Sequence, residues 1–280
     1  MKSKTLQAGL LAGMISMVAS VPASAELPSL DNSKVWAVFY YSGVQTKGAD
    51  FGLDTAGKID LIPIGKNRER MTSQSFVPVL YQIEDTKADG KKVLIKLDPD
   101  SMTSTTPASD KPVPILIKGK TAEGDATYEL NFEPARGNVL VGGRIVEKGS
   151  LVNPRFIITA TLPKEINKKG DTTDDKAYEK KVAEDKLEVK LLDGKKQKVE
   201  GLETADLASP EFAGTGLSQV EFFIDSIGGR EFSFLASPNS KLTAVNKGGG
   251  APFWEGLVLT WEADTAKDPQ GKARLAIGVK

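Results

Sequence analysis

Short runs of β-branched and aromatic residues recur along this chain, separated by glycine, proline, aspartate and asparagine. The runs follow one another at intervals of roughly 8 to 15 residues, a spacing typical of strands in packed antiparallel sheets. After the first 25 residues, no segment keeps an apolar repeat of helical period for three turns. The pattern therefore predicts an all-β fold of the β-sandwich type, without βαβ units.

The runs that predict strands share this composition and end at turn residues. Two dipeptides, Asp89-Gly90 and Asp193-Gly194, predict tight hairpins. Pro63, Pro78 and Pro114 lie inside these runs and predict edge strands or bulges there, because proline cannot donate to a β-ladder. The predicted strands cover residues 35–41, 58–64, 76–83, 92–97, 113–118, 127–132, 139–141, 144–147, 156–162, 187–192, 197–199, 220–224, 231–235, 241–245, 257–261 and 273–279.

The first 25 residues have the pattern of a cleaved export signal. Lys2 and Lys4 precede an uncharged apolar stretch over 6–21, and Ala-Ser-Ala at 23–25 fits a cleavage site with small residues. The apolar stretch is shorter than the ~20 residues that a membrane-spanning helix needs. We therefore expect an exported protein, located in the periplasm, on an outer-surface appendage or outside the cell, with no integral membrane segment after cleavage.

One internal segment interrupts the strand pattern. Residues 163–186 read PKEINKKGDTTDDKAYEKKVAEDK, which is polar and strongly charged. This composition predicts a linker or an insertion over 164–186. It would separate a β-sandwich domain over 26–163 from a second β-sandwich domain over 187–280.

Two missing residue types restrict the chemistry. The chain contains no histidine and no cysteine, so serine–histidine triads, thiol catalysis and most zinc and copper sites are excluded. Loss of Lys2 and Lys4 with the signal leaves 35 basic residues against 37 acidic ones, from 37 of each. That balance disfavours nucleic acid as a partner. We predict no cofactor and no metal.

The lack of histidine and cysteine does not exclude a hydrolase that uses carboxylates, because a glycosidase needs only two acids held in a cleft. The candidate acids mostly occupy the polar phase of strand patterns, so we expect them to face solvent and predict no catalytic residue. They are Glu221, Asp225, Glu231, Glu255 and Glu262. Asp98 and Asp100 flank Pro99, which indicates a turn, and calcium binding is the alternative.

Aromatic residues offer a possible ligand-stacking platform, formed by Trp36, Tyr40, Trp254 and Trp261. The competing interpretation is core packing. Residues 35–41 are apolar in both strand phases, as in strands buried on both faces.

Two segments resemble a known family. They are KVLIKLDPDSMTSTTPASDKPVPILIKGKT over 92–121 and PFWEGLVLTWEAD over 252–264. Both are similar to segments of the alternate-chaperone (class 5) fimbrial subunits. The resemblance implies an immunoglobulin-like fold and assembly by β-strand pairing with other protein subunits or a periplasmic chaperone. The start of the mature chain, ELPSLDNSKVW, lacks an alternating donor strand, so the resemblance implies a longer minor subunit or adhesin.

The sequence therefore predicts a non-catalytic exported structural protein, a cell-surface or fimbrial (pilus) subunit or adhesin. Two alternatives stay open. One is a periplasmic or secreted binding module for a glycan or a protein, and the other is a carboxylate-based hydrolase.

Overall fold

A computed structural model describes residues 40–54, 56–64, 77–106, 113–162, 186–200, 216–224, 229–246 and 257–280. These residues form strands, turns and a 3₁₀ turn at Pro99–Ser101, with no α-helix among them. The all-β prediction is confirmed. The predicted export signal and residues 163–185 of the charged segment lie outside the described residues.

Seventeen strands form one hydrogen-bonded, antiparallel sheet that curls. The strands before the charged segment are β1 (Tyr40–Gln45), β2 (Ala49–Asp54), β3 (Lys58–Pro63), β4 (Val77–Thr86), β5 (Lys92–Ile95), β6 (Thr103–Ser104), β7 (Ile115–Lys120), β8 (Thr127–Ala135), β9 (Asn138–Glu147) and β10 (Pro154–Thr161). The strands after it are β11 (Lys186–Leu191), β12 (Lys196–Glu200), β13 (Leu217–Ile224), β14 (Arg230–Ala236), β15 (Ser240–Asn246), β16 (Leu257–Ala263) and β17 (Leu275–Val279).

Both predicted tight hairpins are present. β4 pairs with β5, and the turn between them contains Gly90 at φ +81°. β11 pairs with β12 across Gly194 at φ +88°. Glycine adopts this left-handed conformation without steric cost, which explains why the Asp-Gly dipeptide locates these turns correctly.

A single strand replaces two predicted ones. Residues 139–141 and 144–147 belong to the ten-residue β9, which continues through Gly142 and Gly143. A Cβ at Gly142 would lie 2.7 Å from the carbonyl oxygen of Ala273, and one at Gly143 would lie 2.4 Å from Cζ of Phe156. These glycines allow close packing inside a continuous strand, whereas a sequence pattern treats them as a break.

The prediction that Pro78 lies in an edge strand is wrong. β4 pairs with β3 on one side and β10 on the other, so Pro78 does not lie in an edge strand. The ladder between β4 and β10 reaches only Val79, one residue beyond Pro78. The missing N–H therefore falls just outside that ladder, where it costs no hydrogen bond.

Strand pairing crosses the predicted boundary between the two domains. β10 precedes the charged segment and pairs with β16 over five residue pairs, while β9 pairs with β17 over four. The two-domain division stays a prediction, but the sheet itself is shared by the strands on both sides of the segment.

The sheet buries one face of each long strand. β4 alternates between buried and partly exposed residues along its whole length, and β17 alternates in the same way. The inward side chains belong to one hydrophobic cluster that draws on strands before and after the charged segment. Its largest fully buried members are Trp261, Tyr128, Phe51, Phe132, Phe222, Phe232 and Phe234.

Candidate binding cleft

Trp261, one of the four predicted stacking residues, lies in the core. It is 0% exposed on β16, opposite Ile158 of β10 and Leu242 of β15. A ligand cannot stack on a ring with no accessible surface. The side chain of Tyr40, together with Trp36 and Trp254, lies outside what the structure describes, so the stacking platform stays a prediction.

The described carboxylates proposed for hydrolysis are paired with cations on outward-facing strand positions. Glu231 Oε1 accepts a hydrogen bond from Lys280 Nζ at 2.8 Å, and Glu221 Oε1 lies 3.8 Å from the same nitrogen. Glu262 contacts Arg155, and its Oε1 lies 2.8 Å from Lys241 Nζ. Asp225 and Glu255 fall outside the described residues.

Asp98 has a structural role in the turn that the sequence predicts. Its side chain caps the 3₁₀ turn, since Oδ1 accepts a hydrogen bond from the backbone N–H of Asp100 at 3.2 Å. Within the described ranges, no group of three or more potential ligand residues could hold a metal ion.

The described surface contains an open cleft of about 1400 Å³ at one end of the sheet. Five parts of the chain meet there: the β1–β2 turn, the residue after β3, the β8–β9 turn, β14 and the end of β17. The described lining residues are Gln45, Thr46, Lys47, Gly48, Ile64, Arg136, Gly137, Asn138, Arg230, Ser233, Leu235, Ala276, Gly278, Val279 and Lys280.

Local hydrogen bonds and close packing hold the β1–β2 turn at the rim of the cleft. Thr46 Oγ1 accepts from the backbone N–H of Gly48 at 3.3 Å and of Ala49 at 3.0 Å. The turn packs directly on the end of β17, because a Cβ at Gly48 would lie only 1.9 Å from the carbonyl oxygen of Val279. Lys47 is thereby held beside β17.

The floor of the cleft is made of side chains that face outward from paired strands, and three of them, Ser233, Ala276 and Gly278, are small. Ser233 of β14 pairs with Gly278 of β17, which in turn pairs with Asn138 of β9. In the next row, Leu235 pairs with Ala276. Side chains on alternate residues share a face, so both rows lie on the side away from the core.

The cleft is cationic. Its described lining includes Lys47, Arg136, Arg230 and Lys280, and no aspartate or glutamate. Lys280 is compensated, because its hydrogen bond with Glu231 raises the pKa of the ammonium group. The other three cations form no ion pair with any described residue.

Two polar atoms of the lining are buried without a hydrogen-bond partner in the described structure. They are Nε of Arg230 and Oδ1 of Asn138. An unsatisfied buried donor or acceptor costs about 1–3 kcal/mol, and more when the group is charged. Both residues therefore retain unused hydrogen-bonding capacity.

Sequence patterns did not identify these residues. The four cations come from two turns, the start of β14 and the residue after β17, and no spacing rule connects positions 47, 136, 230 and 280. Only the strand pairing brings them to one end of the sheet.

No protein-family model matches the chain, and no curated protein matches its sequence. Within the described residues, no helix has the length and apolar character needed to cross a membrane.

Proposed function

We propose that the protein is a non-catalytic, exported structural protein of the cell surface, a fimbrial subunit or adhesin that joins its partners by β-strand pairing. The supporting observation is the edge of β1. This strand pairs with β2 alone among the described strands, and its residues carry no charge. An uncharged strand edge is suited to accept another strand.

The edge at β12 has a different character. β12 pairs with β11 alone among the described strands, but its sequence is KQKVE, with Lys196 and Lys198 exposed. Lysines on an edge strand oppose pairing with another chain. Of these two edges, β1 is the better suited to dock another strand; β5 and β6 also pair with one described strand each.

The proposal includes a finer architecture than a curled sheet. The alternating burial of the long strands around one core supports an immunoglobulin-like sandwich, in which the sheet folds over its own apolar face. In such a sandwich an added strand would extend one layer without disturbing the core.

The absence of natural cysteines makes the docking edge testable by cross-linking. Gln45→Cys places a thiol at an exposed position of β1, and Lys198→Cys places one at an exposed position of β12. We expect the chain from residue 26 onward to self-associate at high concentration. Mild oxidation should then trap disulfide-linked species of Gln45→Cys and few of Lys198→Cys.

Sedimentation analysis would measure whether the protein assembles through β1. A stable monomer at about 100 μM, a concentration far above that of tight assembly, would overturn assembly through β1 if it also gave no cross-link at Gln45→Cys. Equal cross-linking of the two variants would show that the edges are not distinguished.

The cleft favours a second candidate function, a binding module for a glycan or a protein. Its described lining contains no carboxylate, so the hydrolase alternative gains no support there. The docking edge and the cleft share Gln45, the last residue of β1.

A further inference from the structure

We infer that the cationic cleft binds an acidic oligosaccharide through its oxyanion groups, either carboxylate or sulfate. This inference does not depend on strand pairing at β1. It rests on the charge of the lining, on its guanidinium and amide side chains and on the shape of the floor.

Three cations without a described ion-pair partner are grouped in the cleft, whereas most described cations elsewhere are paired. The whole chain has equal numbers of basic and acidic residues, and most described cations elsewhere sit beside a carboxylate, such as Arg144 with Glu129 at 2.8 Å. Lys47, Arg136 and Arg230 instead share one cleft and have no such partner among the residues that the structure describes. A concave surface lined by one sign of charge focuses the field and attracts counter-ions.

The guanidinium of Arg230 has a specific reason to bind an oxyanion. Its Nε is buried and has no acceptor in the described structure. The side chain as a whole is partly exposed in the cleft, so a carboxylate or sulfate oxygen can meet the guanidinium there in a charge-assisted hydrogen bond. Asn138 contributes a partly exposed amide side chain to the same lining, a group that can hydrogen-bond a ligand hydroxyl.

The shape favours an extended ligand. A volume of about 1400 Å³ exceeds the roughly 300–1,000 Å³ of small-molecule pockets. The floor is lined by Ser233, Ala276 and Gly278, which allow a ligand to approach the backbone closely. No described lining residue is aromatic, whereas sites for single-stranded nucleic acid use aromatic stacking platforms.

Calorimetric titration at low salt would test the inference. The probes are a heparin-derived hexasaccharide, which carries sulfate, and an oligogalacturonate, which carries carboxylate, with a neutral dextran oligosaccharide as the control. We expect at least one acidic probe to bind and dextran not to bind. The affinity should fall as NaCl rises toward 0.5 M, because salt screens charges at an open surface.

Matched variants would locate the binding. Arg230→Gln should weaken binding by about tenfold or more, the loss expected for one charge-assisted hydrogen bond. Lys148→Gln removes the same charge beyond the far end of β9, about 30 Å along the strand from Asn138, and should leave affinity unchanged.

Gly278→Gln tests the same cleft by steric block, with the cations retained. A Cβ at Gly278 would make only ordinary contacts, 3.5 Å from Cβ of Asn138 and 3.6 Å from the carbonyl oxygen of Gly137. The fold should therefore survive, which far-UV circular dichroism would verify, while the side chain fills the floor and binding falls at least tenfold.

Several results would overturn the inference. They are failure of both acidic probes to bind, equal weakening by Arg230→Gln and Lys148→Gln, and unchanged affinity in a folded Gly278→Gln. Tighter binding of polyglutamate, of an oligonucleotide or of inorganic phosphate than of either oligosaccharide would overturn the assignment to sugars.

Discussion

At the scale of single residues, Asp85 is a buried carboxylate that the fold fully satisfies. It is 0% exposed at the end of β4. Its Oδ1 accepts from the backbone N–H of Asn153 at 2.8 Å, and its Oδ2 accepts from Lys87 Nζ at 2.8 Å and from the N–H of Val152 at 3.3 Å. Asp85 thus fixes the chain just before β10 against the end of β4.

These contacts make Asp85 a source of pH-dependent stability. The hydrogen bond from Lys87 is the largest effect, and together with the backbone donors it lowers the pKa of Asp85 despite burial. A carboxyl whose pKa is lower in the folded state stabilises the protein above its unfolded pKa, about 3.9. That contribution disappears as the pH falls through the folded pKa.

We therefore expect Asp85→Asn to lower the free energy of unfolding at pH 7 by about 1–3 kcal/mol. The difference from the wild type should shrink as the pH falls below about 4, because the wild-type carboxyl also becomes neutral there. Urea unfolding at several pH values measures this. Asp89→Asn, in the exposed turn between β4 and β5, is the control. A difference that stays constant with pH would contradict the proposed role of the charge.

Trp261 provides a test of core packing against ligand stacking. Because its ring is fully buried, Trp261→Ala should destabilise the fold by about 3–5 kcal/mol. Leu235→Ala, at a position 45% exposed, should change stability by less than about 1 kcal/mol. Urea unfolding followed by circular dichroism compares the two. If Trp261→Ala kept wild-type stability, the ring would not be a core residue.

At the scale of strands and turns, the contact of the β1–β2 turn with β17 brings one wall of the cleft into place. Gly48 makes this contact possible, because any Cβ there would collide with backbone atoms of Val279. A backbone neighbour cannot rotate away as a side-chain tip can. The turn or β17 would have to shift.

Gly48→Ala should therefore destabilise the protein by about 1–3 kcal/mol, the usual cost of overpacking a close contact. The same substitution at Gly278 is the control, since its Cβ would meet no atom closer than 3.5 Å. Thermal unfolding of the two variants gives the comparison. Equal melting temperatures would mean that the turn does not press on β17.

Sequence patterns predicted most strands and both Asp-Gly hairpins because these features are local. Alternation and turn residues act within a few positions of one another. β2 was missed because Asp50, Gly52 and Asp54 interrupt its apolar pattern, although Asp50 is buried in the strand. The cleft was missed for another reason: its residues are neighbours only through strand pairing between distant parts of the chain.

At the scale of the whole molecule, strands from the two halves of the chain pair with each other. A ladder of charges follows the paired strands across the predicted boundary: Glu84 of β4 lies 2.8 Å from Arg155 of β10, and Arg155 contacts Glu262 of β16. The cleft is shared in the same way. Lys47 and Arg136 precede the charged segment, whereas Arg230 and Lys280 follow it.

A specific protease site inserted between Asp174 and Asp175 would test most directly whether strands from both halves build one sheet. After cleavage, we expect the two fragments to remain a one-to-one complex on size exclusion and to unfold in a single transition, because β10–β16 and β9–β17 pairing holds them together. Fragments that separate in native buffer, each keeping its own β-type circular dichroism, would contradict the shared sheet and the cleft built on it.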